Sequence, residues 1–242
     1  GFIGMGGRSG GLLKEFLKIP NIDIVAISDP DTARMDQRLK TINDIKAKAA
    51  ANGNPLQDTR IATIQDYRKL LERPDIDAVV VPSTNFWHTL HAIHAVQAGK
   101  HVYVEKPSTF KHWEGRQLEA AAKRYGKVIG IGYQNRSDPG PIEGIRYVQE
   151  GNLGKIRKIR SLCYRNRDSI GKSDTLLKPP ATIDYDLWLG PAPEHTTYRP
   201  KLHYDWHWDF HTGNGDMGNQ GPHETDMVYW LLGHPGCQAR LP

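Results

Sequence analysis

The first half of the chain alternates short apolar runs with longer stretches of helical periodicity. The apolar runs lie at residues 1–4, 22–28, 78–82, 101–104 and 128–132, and the helical stretches at 10–17, 32–51, 64–71, 87–98 and 110–125. Glycines close several helical stretches, as at Gly99 and Gly126. The alternation is typical of βαβ units, whose right-handed crossovers build a doubly wound parallel sheet of the α/β class.

The pattern changes after Gly132. A helix is predicted at residues 141–150, a strand near 155–164, then a loop rich in charge, Gly and Pro, and an aromatic segment that leads to a helix at 224–232. These elements predict a second, α+β domain at residues 135–242, following a first domain at 1–134. They include too few strands to close a sheet, so we expect this C-terminal sheet to be incomplete in the chain.

Composition and charge narrow the class of protein. A 242-residue chain with 38% hydrophobic residues can bury a sizeable core. Its longest apolar runs, such as residues 77–81, fall far short of the roughly 20 residues that a membrane-spanning helix needs. We therefore expect a soluble protein that does not insert into a membrane.

Basic residues concentrate between Lys155 and Lys178 within a chain of net charge +5. This cluster is compatible with a nucleic-acid patch, but no nucleic-acid motif accompanies it. We therefore interpret it as the solvated face of a strand and loop, and expect no nucleic-acid partner.

The termini and the cysteines give little information about the protein's location or chemistry. The chain starts at Gly1, without an initiator Met, within a predicted strand, so we expect an upstream portion. The localisation stays open: cytoplasmic by default, periplasmic if that portion includes a leader. Cys163 and Cys237 lack the spacing of a disulfide framework or a thiolate metal site, and are predicted to be ordinary buried thiols.

A glycine-rich turn joins the first predicted strand to the first helix. Gly4 permits a tight turn, and Gly6 lets the backbone approach a pyrophosphate at the positive helix N-terminus. Ser9 departs from a strict G-x-G-x-x-G spacing, with Gly10 following it. A turn made for packing alone is the alternative. As a dinucleotide site of a Rossmann domain, the turn would supply Gly4, Met5, Gly6, Gly7 and Arg8.

Asp29 ends the next predicted strand, about 20 residues after the glycine turn, where a carboxylate can accept hydrogen bonds from an adenosine ribose. Its negative charge disfavours a 2′-phosphate, so NAD is preferred to NADP. Arg8 or Arg34 could soften that preference, and NADP stays possible. The alternative role of the segment from Asp29 to Asp31 is a helix N-cap, which the ribose contact does not exclude.

Three further segments carry a resemblance that the glycine turn alone does not. Glu105-Lys106-Pro107 stands at the carboxyl end of a predicted strand, where doubly wound sheets bind ligands. It is similar to the Glu-Lys-Pro signature of the Gfo/Idh/MocA family, which includes glucose-fructose oxidoreductase and inositol dehydrogenase. Residues 83–88 resemble that family's Thr-Pro-Asn-x-x-His segment, with Thr84 in place of Pro. Residues 219–226 resemble its Asp-x-Gly-x-His-x-x-Asp motif, with Asn219 in place of Asp.

The resemblance implies an NAD(P)-dependent oxidoreductase that transfers hydride to or from a hydroxyl of a sugar, polyol or sugar derivative. Removing hydride from such a carbon requires a base at its oxygen. His223 is suited to take the proton, and Lys106 can stabilise the developing alkoxide. The resemblance also implies a sugar-like small-molecule substrate and a homo-oligomer. Two alternatives stay open: glycoside hydrolysis through transient oxidation with NAD, and a dinucleotide-binding regulator without turnover.

The resemblance extends the predicted site. Besides the glycine turn and Asp29, the expected cofactor-binding residues are Ser83, Thr84, Asn85, His88, Glu105, Lys106 and Gln134. The expected substrate-binding residues are Arg136, Trp206, His207, Asn219 and His223. For Gln134 and Arg136, an interdomain hinge is the alternative.

His203, His207 and His211 recur at a spacing that would align three imidazoles on one helical face as metal ligands. The aromatic residues between them suggest instead a surface that stacks on a sugar ring. Packing alone is the third interpretation. We expect no metal.

Overall fold

The computed structural model describes residues 1–163 and 169–233. A parallel sheet of six strands, in the order β3-β2-β1-β4-β5-β6, forms its first half. The strands are β1 (Phe2–Ile3), β2 (Ala26–Ser28), β3 (Ala62–Ile64), β4 (Ala78–Val81), β5 (His101–Glu105) and β6 (Ile129–Gly132). This order reverses between β1 and β4, which makes the sheet doubly wound and confirms the predicted α/β class.

Helices cover both faces of the sheet. They are α1 (Gly7–Phe16), α2 (Thr32–Ala51), α3 (Tyr67–Leu71), α4 (Asn85–Gln97) and α5 (His112–Tyr125). Successive side chains of a strand point to opposite faces of the sheet, so each strand contributes side chains to two hydrophobic cores. Ile3 packs in the core that includes residues of α3, α4 and α5, whereas its neighbour Phe2 packs with those of α1 and α2.

Strand β3 is a difference from the sequence prediction, which placed no strand there. Ala62–Ile64 pairs with β2 at the edge of the sheet, and only then does α3 begin, at Tyr67. A three-residue edge strand has too few positions to show a period. Helix α1 begins at Gly7, three residues earlier than predicted, because the glycine turn itself supplies the first helical turn.

The second part of the chain is mostly helical where it is described. A 3-10 helix at Gln134–Ser137 leads into α6 (Pro139–Gln149), and α7 (Tyr185–Leu189), a 3-10 helix at Asp205–Trp208, α8 (Gly215–Asn219) and α9 (Gly221–Leu231) follow. The strand predicted near 155–164 is not found at 155–163, and its last residue lies outside the described part. The reason is that no partner strand lies beside this segment among the described residues.

Residues 176–212, which we name the strap, lie across the carboxyl edge of the sheet. The amide of Thr32 donates to the carbonyl of Thr182 at 3.0 Å, and the amide of Asp184 donates to that of Pro30 at 2.9 Å. The indole N–H of Trp87 donates to the carbonyl of Trp188 at 2.7 Å. These bonds fasten the strap to the first domain at two places.

The structure agrees with part of what the sequence predicted for the basic cluster and the cysteines. Lys155, Arg157, Lys158 and Arg160 are exposed, as a solvated face requires, while Arg165 and Arg167 lie outside the described residues. Cys163 is half-buried and not fully buried, and Cys237 lies outside the described residues. In the described ranges, no helix combines the length and the apolar character needed to cross a membrane.

Candidate active site

A cavity of about 580 Å³ opens at the carboxyl ends of the strands. Its walls come from the turns after β1, β2, β4 and β5 on one side, and from the strap and α8 on the other. Most predicted site residues line it: Gly4, Gly6, Gly7, Arg8, Asp29, Ser83, Thr84, Asn85, His88, Glu105, Lys106, Trp206, His207 and Asn219. Met5 is fully buried behind the turn, and Gln134, Arg136 and His223 are not part of the cavity wall.

The glycine turn is shaped for close approach. Gly4 has a φ of +102°, and a Cβ there would lie 2.6 Å from the Cα of Ser83, so only glycine fits. Gly6 is the N-cap of α1, where a Cβ would meet no atom within 4 Å and no side chain caps the helix. The first turn of α1 therefore presents backbone N–H groups without a side-chain acceptor.

Arg38 on α2 supports this turn from behind, a contact that sequence reasoning missed. Its Nη2 donates to the carbonyl of Gly6 at 2.7 Å, and its Nε donates to the hydroxyl of Ser9 at 2.9 Å. Ser9 is the residue that breaks the strict glycine spacing, and its hydroxyl in turn donates to Gly6. No pattern in a single sequence could have linked a residue in α2 to this turn.

Asp29 lies after β2 with its carboxylate among backbone amides. It accepts hydrogen bonds from the amide of Met5 at 2.5 Å and from that of Asp31 at 2.8 Å. Burial raises the pKa of Asp29, although these two bonds oppose the rise. Asp31, not Asp29, caps α2, since its side chain accepts from the amide of Ala33 at 3.1 Å. The capping role considered for this segment thus belongs to Asp31.

Lys106 projects from the end of β5 into the cavity and meets the second part of the chain. Its Nζ donates to the backbone carbonyl of Asn219 at 2.5 Å and to the side-chain Oδ1 of Asn219 at 3.1 Å. Burial lowers the pKa of Lys106; the Glu105 carboxylate opposes this and the charge of Arg8 adds to it. An ammonium has three donors, so one is left for a ligand.

The carboxylate of Glu105 is paired with another side chain of the protein. Its side chain is 3% exposed and accepts a hydrogen bond from Nε of Arg8 at 2.7 Å. This ion pair joins the glycine turn to the end of β5, and both residues line the cavity.

His223 lies in the first turn of α9 and is buried. Its Nδ1 has no hydrogen-bond partner in the described structure. Burial is the largest cause that lowers its pKa, followed by the charges of Lys106 and Arg8. His223 is therefore a neutral imidazole at neutral pH, and its unpartnered Nδ1 is enclosed within the protein.

Arg136 makes a different contact from the expected one. It forms a two-pronged ion pair with Asp226, at 2.8 and 2.9 Å, and its guanidinium lies 5.1 Å from the ring centre of Trp230. The side chain of Asp226 is buried, and that of Arg136 is 11% exposed. This pair fastens α9, which carries His223, to the 3-10 helix after β6. It uses two of the three nitrogens of the guanidinium that the sequence assigned to a substrate.

The three histidines of the strap region point to different partners. The Nε2 of His203 contacts Asp31 at 2.8 Å, His207 stacks on Trp206 with ring centres 3.6 Å apart, and His211 contacts the ring of His195. They lie on no common helix, since the only helix here is Asp205–Trp208. Within residues 1–163 and 169–233, no group of three His, Cys, Asp or Glu side chains is placed to hold a metal.

Comparison with known proteins agrees with this architecture. Residues 1–133 match the Gfo/Idh/MocA model described as an oxidoreductase family with an NAD-binding Rossmann fold, and residues 167–239 match the C-terminal α/β domain of that family. The 1-carboxy-3-chloro-3,4-dihydroxycyclohexa-1,5-diene dehydrogenase of Comamonas testosteroni is 27% identical over 231 residues, 96% of this chain and 46% of that protein.

Two further proteins show how far the similarity extends. A glycosyl hydrolase family 109 protein of Shewanella pealeana is 32% identical over 124 residues, 51% of this chain and 26% of that protein. The scyllo-inositol dehydrogenase of Lactobacillus casei, solved with NAD(H) and scyllo-inositol, shares the fold at a TM-score of 0.52 and 22% identity, covering 64% of this chain and 42% of that one. The chain spans less than half the length of each. By the matches to both of its domains, the chain belongs to the Gfo/Idh/MocA family of oxidoreductases and has its NAD-binding Rossmann fold.

Proposed function

We propose that this protein transfers hydride between NAD and a hydroxyl-bearing carbon of a sugar, polyol or sugar derivative. The observation that carries the proposal is the contact of Lys106, in the cavity wall at the carboxyl edge of the sheet, with Asn219, which lies four residues before His223. This contact supports a hydrogen-bond donor, Lys106, and a proton acceptor, His223, that act at the same end of the cavity.

The residues present fit a dinucleotide. The open space at Gly6 and the uncapped N-terminus of α1 suit a pyrophosphate, because helix N-termini attract anions. Asp29 and the turn at Ser83, Thr84 and Asn85 would border the remainder, with Glu105 bracing Arg8. When bound, NAD supplies the hydride acceptor.

The chain's own residues handle the proton. In the oxidative direction, the neutral imidazole of His223 accepts the proton that leaves the substrate hydroxyl. The third N–H of Lys106 donates a hydrogen bond to the same oxygen and stabilises the negative charge that develops there. In the reductive direction, the protonated imidazole returns the proton.

The substrate class follows from the opposite wall. Trp206 and His207 on the strap and Asn219 on α8 line the cavity, offering ring faces and an amide to a polyhydroxylated ring. The Comamonas relative is named for a dihydroxylated ring and the Lactobacillus neighbour for an inositol, which supports a cyclic polyol or sugar. We place the substrate-binding domain at residues 135–242, and propose a homo-oligomer, which sedimentation would test.

The proposal is tested by incubating the protein with NAD or NADP and a panel of sugars, cyclic polyols and aryl glycosides. Reduced cofactor, followed by absorbance, is expected with a polyol or sugar and to be greater with NAD. A positive control is the reverse reaction with the corresponding ketone.

Glycoside hydrolysis is the second candidate, supported by the 32% identity over 124 residues to a family 109 glycosyl hydrolase. Release of the aryl group without net reduction of NAD would establish this candidate instead. Cofactor binding without either reaction, across the panel, would favour a dinucleotide-responsive regulator.

A further inference from the structure

His88 is a buried titratable side chain to which the proposed hydride transfer gives no role. It lies in the first turn of α4 and is 2% exposed, at the edge of the cavity. Its Nδ1 lies 2.6 Å from the carbonyl oxygen of Pro107, and its Nε2 lies 3.0 Å from that of Ser83. Both ring nitrogens thus face backbone carbonyls, whereas the sequence suggested a cofactor contact for this residue.

Only one of these two contacts can be a hydrogen bond from a neutral ring, since neutral imidazole has a single N–H. Burial lowers the pKa of His88 to about 4; the two carbonyls oppose this fall, and the charge of Lys106 adds to it. The ring is therefore neutral at neutral pH. Because the Nδ1 contact is the shorter of the two, we assign the proton to Nδ1, which then donates to Pro107.

Pro107 directly follows Lys106, so this bond fixes the backbone next to the lysine. The hydroxyl of the next residue of the helix, Thr89, lies 3.1 Å from the carbonyl oxygen of Ser108 and 3.1 Å from a carboxylate oxygen of Glu114, and it donates its single hydrogen to one of them at a time. Helix α4 thus holds the segment 106–108 through two adjacent side chains. Asn219 holds the other end of Lys106, at the ammonium.

We propose that His88 is a positioning residue, which fixes the backbone at Pro107 through its Nδ1–H and thereby sets where the ammonium of Lys106 meets the substrate oxygen. The proposal rests on the proposed function in one respect, the action of Lys106 on that oxygen. A displacement of about 1 Å in such a group can reduce turnover about a hundredfold, so a single buried bond has a measurable effect.

Two substitutions separate the two ring nitrogens. The amide nitrogen of Asn reaches the place of Nδ1, so His88→Asn keeps a donor for Pro107. The amide nitrogen of Gln reaches the place of Nε2, so His88→Gln keeps a donor for Ser83 alone. We expect His88→Asn to retain most of the turnover and His88→Gln to lose about a hundredfold in kcat, with the Kd for NAD unchanged in both.

Thr89→Val is the matched control, because it removes the neighbouring hydroxyl, which contacts Glu114 and the carbonyl of Ser108, one residue farther from Lys106 than Pro107. Its effect on kcat is expected to be several times smaller than that of His88→Gln.

A readout without turnover is the rate at which an amine-reactive acylating reagent labels Lys106, measured by mass spectrometry. Labelling of His88→Asn should match the unaltered protein, and that of His88→Gln should be faster, because a released lysine is more accessible.

Equal loss of kcat in both variants, or a loss confined to the Kd for NAD, would overturn the proposal. If no substrate is turned over by the unaltered protein, the proposed function fails, and the labelling pattern alone decides the role of His88. If His88→Gln does not fold, the nitrogen-15 chemical shifts of His88 in the unaltered protein decide it: a proton on Nδ1 supports the proposal, and one on Nε2 contradicts it.

Discussion

The ammonium of Lys106 donates to both oxygens of Asn219, the backbone carbonyl and the side-chain amide, although the two residues are 113 positions apart in the chain. This double contact joins the end of β5 to α8, and hence the first domain to the second. Asn219 is a neutral partner for the ammonium. Burial therefore lowers the pKa of Lys106, and no carboxylate at position 219 opposes that fall.

Asn219→Asp should raise the pKa of Lys106, because an adjacent carboxylate stabilises the ammonium. If the ammonium is the active form, activity is lost as the pH rises through this pKa. The alkaline limb of the pH–kcat profile should therefore move upward by about 1–3 pH units. Asn219→Ala is the control without charge and should not move that limb upward. An unchanged limb in Asn219→Asp would contradict the role given to Lys106.

Removing either member of the catalytic pair should reduce turnover while sparing the cofactor. We expect Lys106→Met and His223→Phe each to lower kcat by about 10²–10⁴-fold, with the Kd for NAD nearly unchanged, measured by fluorescence titration. In the unaltered protein, oxidation requires neutral His223. The acid limb of its pH profile should lie below the ordinary pKa of histidine, since burial lowers the pKa of His223. Near-normal kcat in both variants would disprove the pair.

Asp29→Asn should weaken the binding of NAD more than the binding of NADP. A carboxylate that accepts from the ribose contributes about 1.5–3 kcal/mol, so the ratio of the two Kd values should shift about tenfold or more toward NADP. Both cofactors should also weaken somewhat, because Asp29 holds the amide of Met5 in the glycine turn. Asp31→Asn serves as the control for the helix cap. Equal weakening of NAD and NADP would leave Asp29 with the turn-holding role alone.

The buried ion pair between Arg136 and Asp226 should matter for stability. Asp226→Asn leaves the buried guanidinium without its charge partner, and we expect the free energy of unfolding to fall by about 3–5 kcal/mol in a urea titration. The double variant Arg136→Met with Asp226→Leu should recover much of the loss. If Asp226→Asn is as stable as the unaltered protein, the pair does not hold α9 in place.

Trp206→Ala should raise the KM for the substrate about tenfold or more and change the Kd for NAD little, because the ring lines the cavity on the strap side.

Dialysis against a chelator should leave the rate of hydride transfer unchanged. A stoichiometric metal that survives purification, with activity lost on its removal, would contradict this assignment of the strap.

Local patterns were enough for much of the architecture. Periodicity, together with the glycines that end helices, predicted the doubly wound sheet, because burial on one or both faces leaves its period in consecutive residues. The glycine turn and Asp29 were also readable, since a tight turn and a strand end are local features. Strand β3 escaped because three residues at a sheet edge are too few to show a period.

Only the tertiary structure decided which distant side chains meet. Arg136, predicted to contact substrate, pairs with Asp226. His88, predicted to contact cofactor, has a backbone carbonyl facing each of its ring nitrogens. Arg38 reaches the glycine turn from another helix. Such partners depend on how helices pack against the sheet and on which buried polar atoms must be satisfied, and neither leaves a regular trace in one sequence. The residue types at the site were set by the sequence, and their partners by the fold.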